Sequence, residues 1–234
     1  MDVNDILSSL DEFFKSSKGS VIRETSLAVS SVEPVAGVIA MSINSFYQNY
    51  NSFKIECLLK GLSKGNNREK CLYELNNFIC SSKERAYMVG NIFRETLAAE
   101  SPRVSELYGI ILSKHIGSKS SNFTHEELIV CKAIENANDY DLDIFKDIMT
   151  NSVLDNHEGK LVWLPEDKQQ KYDLTCQWCV YNRLFWDVGE VWRTGSSPLP
   201  INTVETNYKI DSAATVLIEY INELGTTWDM CDSN

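Results

Sequence analysis

The sequence predicts a mainly α-helical protein in which a helical bundle is followed by a winged-helix-like module with a small β-hairpin. Three observations carry that reading. Apolar residues recur at helical spacing through most of the 234-residue chain. Helix-start signals punctuate the pattern. Strand and turn signals concentrate in the last third, between two helical stretches.

From the first residues, Val3, Ile6, Leu7, Leu10, Phe13 and Phe14 fall on one face of a short amphipathic helix. Lys18-Gly19-Ser20 ends it. A second helical stretch runs over 21–50, broken or kinked where Pro34 disfavours helix at Glu33. Beyond the kink, Val35-Ala36-Gly37-Val38-Ile39-Ala40 is small and apolar on every face. Small residues let helices approach closely, so Gly37 is expected at the centre of the bundle. Asn66 with Glu69, Ser81 with Glu84 and Thr124 with Glu127 have capping-box spacing. Ser101-Pro102 places a capping residue before a proline at the first helical position. Three apolar stripes follow from those starts: Cys71, Leu72, Leu75, Phe78 and Ile79; Val89, Ile92, Phe93 and Leu97; Val104, Leu107, Tyr108, Ile111 and Leu112. Residues 117–122, Gly-Ser-Lys-Ser-Ser-Asn, read as a linker.

The charge changes at that linker. Residues 1–120 hold 14 Lys+Arg against 13 Asp+Glu, a net of +1. Residues 121–234 hold 8 against 20, a net of −12. The expected organisation is therefore a helical domain over 1–118 and an acidic winged-helix-like domain over 123–234. Such acidity repels a phosphate backbone and disfavours nucleic-acid binding there. Solubility is the simple use of the charge; a basic partner is the sharper one.

Within the second half, helices are expected over 124–138 and 142–151. Residues 152–168 look irregular, with an apolar patch at Leu161-Val162-Trp163-Leu164. A helix follows over 174–186. Val188-Gly189-Glu190-Val191-Trp192 is a strand candidate, Gly195-Ser196-Ser197-Pro198 a turn, and 201–208 is rich in Thr and Val. Asp211 then caps a last helix carrying Ile210, Ala214, Leu217, Ile218 and Ile221. Helix, hairpin, helix is the order of a winged helix-turn-helix.

Residues able to carry chemistry are few. Cys176-Gln177-Trp178-Cys179 is a single C-x-x-C, whereas structural zinc takes four ligands. Its two thiols share one helix face, and no βαβ setting for thioredoxin-type chemistry surrounds them. His115, His125 and His157 form no H-E-x-x-H and no i, i+4 pair. No G-x-S-x-G, P-loop or G-x-G-x-x-G occurs. The expectation is a non-enzyme with no catalytic residue, no cofactor and no metal. Seven cysteines, an odd number, follow a polar, acidic N-terminus, so reduced thiols and a cytoplasmic location are expected. No run of about 20 apolar residues suggests a membrane span.

The densest aromatic stretch is Trp178, Tyr181, Phe185, Trp186 and Trp192, interleaved with Arg183 and Arg193. Aromatic residues with arginine make interface hot spots. Trp178, Tyr181, Arg183, Trp186, Trp192 and Arg193 are thus the candidate protein-binding residues, with core packing as the plainer use of the aromatics.

The stretch Ser31-Val32-Glu33-Pro34-Val35-Ala36-Gly37-Val38-Ile39, with Lys60-Gly61-Leu62 and Glu84-Arg85-Ala86-Tyr87-Met88-Val89 after it, resembles a group of uncharacterised helical bacterial proteins. Members carry a small-residue P-x-x-G segment, a run of helices and often a winged-helix-like end. The likeness covers about residues 20–150 and, weakly, the end. It implies mobile elements and phage–host conflict as the setting and transfers no catalytic motif. The expected function is a non-enzymatic protein-binding or regulatory protein with a protein partner; homo-oligomerisation is compatible with it. Two alternatives stay open: a membrane-active helical effector using residues 35–43, and a DNA-binding winged-helix regulator.

Overall fold

The computed structural model describes residues 50, 51, 53–64, 67–120, 122–156, 159–164, 166–191 and 205–224. The amphipathic segment at Val3–Phe14, the kink at Pro34, Gly37, His157, Trp192, Arg193 and the turn at 195–198 lie outside these residues.

Among the described residues, four helices form the first half: α1 (53–63), α2 (Arg68–Ser81), α3 (Lys83–Ala98) and α4 (Pro102–Ser118). The starts of α2, α3 and α4 have side-chain caps. Asn67 Oδ1 accepts the Lys70 N–H at the head of α2. At α3 the cap is Ser82, accepting from Arg85, one residue beyond the Ser81 that the spacing picks out. Ser101 caps α4 by accepting from Arg103 and Val104, with Pro102 in the first turn, as the sequence predicts. Helix α4 is the axis of the fold. Val104, Leu107, Tyr108, Ile111 and Leu112, its expected stripe, are all buried.

Helix α1 crosses α4 backbone against backbone. A Cβ on Gly61 would lie 2.0 Å from the Glu106 carbonyl oxygen, and one on Gly109 would lie 2.0 Å from the Leu58 carbonyl oxygen. Only glycine fits on both sides of this crossing. Buried Glu106 meets Lys60 at 3.2 Å beside it, which compensates its removal from water.

The turn after α4 places Lys119 in the left-handed region (φ 57°), with the Ser120 N–H donating back to His115 O at 3.2 Å. Helices α5 (His125–Glu135) and α6 (Asp139–Asn151) follow. Both open with reciprocal capping boxes, Thr124 with Glu127 and Asn138 with Asp141.

Residues 152–168 are not irregular. They hold β1 (Val153–Asn156), β2 (Gly159–Trp163) and the start of α7 (Glu166–Tyr181). Leu161–Trp163 of the apolar patch is strand, with Val162 buried in the core opposite Tyr208. Helix α7 begins well before Leu174 and stops at Tyr181. Its end is a Schellman turn: Leu184 N–H donates to Cys179 O at 2.8 Å, and Arg183 takes a left-handed φ of 60°. Phe185 and Trp186 therefore leave the helix for β3 (Phe185–Val191). Strand β4 (Glu205–Ile210) returns beside it, and α8 (Ser212–Leu224) closes the described chain. The sheet has four antiparallel strands in the order β1-β2-β4-β3, larger than the single hairpin expected.

Phe145 of α6 stacks on Phe185 at 6.0 Å, and Phe185 meets Tyr208 at 6.1 Å, so the sheet packs onto the helices through aromatic rings. Helix α8 lies against α4, α5 and α6. Buried apolar residues consequently run as one cluster from Ile55 to Leu224. Among the described residues no helix is long and apolar enough to cross a membrane.

Candidate protein-binding surfaces

The aromatic residues singled out in the sequence separate by depth. Trp178 sits edge-on to Phe145 at 6.1 Å and packs against the core. Tyr181, one turn later, is 85% exposed. Trp186 is 52% exposed and donates through Nε1 to Asp211 Oδ2 at 3.0 Å. Arg183 is exposed at the left-handed end of α7. Tyr181, Arg183 and Trp186 thus share the turn between α7 and β3, while Trp178 faces inward.

A larger feature lies elsewhere, where sequence patterning gives no direct sign of it. Helices α3 and α5 both rest on α4 and leave an open groove of about 760 Å³ between them. Tyr87 on α3 and Leu128 on α5 form its walls, 69% and 54% exposed. Met88, Ile92 and Tyr108 form its buried floor. Tyr108 Oη donates to Cys131 O at 3.3 Å, which ties α4 to α5 beneath it. Lys83 and Phe123 stand towards one end, and Arg94 and Glu95, bonded to each other at 2.7 Å, towards the other. The volume is that of a recognition cleft, and the lining is apolar with charges only at the rim. Tyr87 and Leu128 are signalled in sequence only as large apolar residues lying off the buried stripes of their own helices.

Titratable groups elsewhere are engaged in structure. Glu127 Oε2 accepts the Thr124 N–H at 2.8 Å, and its Oε1 accepts from Tyr220 Oη at 3.0 Å. His115 Nε2 stands 3.3 Å from Glu127 Oε2, yet off the hydrogen-bonding direction, so this buried imidazole makes no hydrogen bond with a described residue. Its ring packs edge-on to Phe123 at 4.8 Å. Burial, reinforced by the Glu127 carboxylate, raises the Tyr220 phenol above its ordinary range.

Three of the described cysteines, Cys131, Cys176 and Cys179, have thiols held up by burial. Cys176 and Cys179 are wholly buried, as their i, i+3 spacing on an inward face requires. Burial, then Asp173, pushes the Cys176 thiol up to about 12, and burial raises Cys179 well above its ordinary range. Burial, then Glu127, likewise takes Cys131 to about 12. Among the described residues no group of three or more His, Cys, Asp or Glu could hold a metal ion, and the six described cysteines are free thiols.

No family model, curated protein or solved structure matches the chain.

Proposed function

We propose that this chain is a non-enzymatic protein-binding protein whose groove between α3 and α5 receives an amphipathic helix of its partner. The observation that carries this reading is the groove itself: two exposed apolar walls, Tyr87 and Leu128, over a buried apolar floor. A helix laid between two helices buries its apolar face and leaves its polar face in water. The rim charges nearest the groove, Lys83 and Glu84 at one end and Arg94 and Glu95 at the other, cancel in sign. Recognition there rests on apolar anchors rather than on charge. Tyr181, Arg183 and Trp186, exposed where α7 turns into β3, are a second candidate contact surface.

The half of the chain from α5 to α8 reads as a winged-helix-like module, with β3 and β4 as its wing. Its net charge of −12 over residues 121–234 argues against use on DNA. The resemblance to helical proteins of mobile elements makes phage–host conflict the setting in which we would seek the partner.

The test is capture from the native cell, with the full chain and its Leu128→Asp variant compared by mass spectrometry. A partner recovered by the wild type is expected to fall at least tenfold with the variant, at unchanged circular dichroism. Equal recovery by both refutes the groove as the docking site. Tight duplex binding in a low-salt gel shift refutes the protein-partner reading in favour of a DNA-binding one.

A further inference from the structure

We propose that the groove between α3 and α5 is occupied in cis by the chain's own Val3–Phe14 segment, which a partner helix must displace. The inference rests on the reading that this groove takes an amphipathic helix. Four observations point to that occupant.

The first is length. The groove is lined along α3 from Lys83 to Glu95, twelve helical steps, or about 18 Å. Val3 to Phe14 is eleven steps, about 16 Å as a helix.

The second is pattern. Val3, Ile6, Leu7, Leu10, Phe13 and Phe14 fall at i, i+3, i+4, i+7, i+10 and i+11. That is one apolar stripe about as long as the groove, with Asp2, Asp5, Asp11 and Glu12 off it.

The third is the point of entry. Tyr50 Oη donates to Glu100 O at 3.2 Å, and Lys54 Nζ donates to Leu97 O at 2.7 Å. The chain upstream of Tyr50 therefore joins the described structure at the Arg94/Glu95 end of α3, six helical steps or about 9 Å from Arg94 along the axis.

The fourth is reach. Residues 15–49 connect the segment to that point, 35 residues. Even at the 1.5 Å per residue of a helix, 35 residues cover about 50 Å, ample for a groove about 18 Å long. Tethering makes docking intramolecular, so weak intrinsic affinity suffices to fill the groove.

The consequence is competition. A partner helix gains the groove only by offering better anchors than Leu7, Leu10 and Phe13, which makes the segment a built-in threshold for binding.

The experiment places a photo-crosslinking benzoylphenylalanine at position 87 of the full chain. Tyr87 is exposed, so the substitution leaves the core alone. Irradiation is expected to give an adduct of monomer mass whose digestion maps the crosslink to residues 1–18. The same probe in a Leu7→Asp, Leu10→Asp background is expected to give at least tenfold less of it. A dimeric adduct, a crosslink to any other segment, no adduct, or a yield unchanged by the two aspartates overturns the proposal. If partner capture depends on Leu128 while the crosslink fails, the groove reading stands and the cis occupant does not. If capture is indifferent to Leu128, the groove reading itself fails.

Discussion

Helix α4 meets its neighbours in two opposite ways. Towards α1 it offers Gly109 to the Leu58 carbonyl and receives Gly61 against its own Glu106 carbonyl, with no side chain between the two backbones. Towards α3 and α5 it offers Tyr108, Ile111 and Leu112, and those two helices stand far enough apart to leave a groove. The closed side has no freedom to adjust, because backbone atoms cannot change rotamer. The open side is bounded by side chains and accommodates an added helix. One helix thus serves as both a fixed seam and the floor of a docking site.

The closed side gives the largest expected effect. Gly109→Ala drives a methyl into the Leu58 carbonyl, and overpacking of this kind costs about 3 kcal/mol. For a chain of this size that is a fall in Tm of roughly 6–12 °C. Gly117, on the same helix, has nothing within 4 Å of a built Cβ. Gly117→Ala is expected to raise stability by up to about 1 kcal/mol through helix propensity alone. Thermal and urea melts of both variants check the contrast. A wild-type melt for Gly109→Ala would mean that the two backbones do not touch.

Next in size is the start of α4, which both sides share. The Ser101 hydroxyl accepts two backbone N–H groups and donates to Asp139 of α6. Ser101→Ala is expected to cost about 1–2 kcal/mol in urea unfolding. A loss below measurement would show that Pro102 alone fixes the helix start.

A smaller effect concerns the seam between α1 and α8. Burial pushes the Glu223 carboxyl upward, but the ammonium groups of Lys114, at 2.8 Å, and Lys64 outweigh it and hold the carboxyl below its ordinary 4.5. A depressed folded-state pKa stabilises above the unfolded value and stops doing so as pH falls through the depressed one. Glu223→Gln is therefore expected to cost up to about 1 kcal/mol at pH 7, and the cost is lost as pH falls through the depressed folded-state value. Urea midpoints across that range test it; a gap that persists in acid removes the ion pairs as its source.

The open side gives the smallest effect on stability. Leu128→Asp is expected to stay within about 0.5 kcal/mol of wild type, while partner capture falls at least tenfold. A large loss of stability would mean that the Leu128 wall belongs to the core.

What was legible in the sequence was local. The α4 stripe from Val104 to Leu112 is fully buried, and Ser101-Pro102 and Thr124 with Glu127 cap the helices they precede. These signals depend on residues a few positions apart. The close helix crossing was legible only as a type of event. The small-residue argument expects it at Gly37, outside the described residues, while the described chain shows it at Gly61 and Gly109. A glycine within a helix reads as a propensity penalty until the partner backbone is known. The β1–β2 hairpin was missed because Leu161–Leu164 alternates weakly, and its identity as strand comes from pairing with β4. The groove could not be read at all. It is a space between α3 and α5, set by how each leans on α4, and a space has no residues of its own. Trp178, Tyr181 and Trp186 looked like one cluster because they are close in sequence; the turn at Arg183 sends them to different depths.

Helix α8 comes last in the described chain yet covers α4, α5 and α6. During synthesis, the apolar faces of those three helices wait for Leu217, Tyr220, Ile221 and Leu224 to leave the ribosome. Until then the nascent protein exposes a sticky face that chaperones must shield. A premature stop before Ser212 is therefore expected to yield an aggregating polypeptide rather than a shorter folded one.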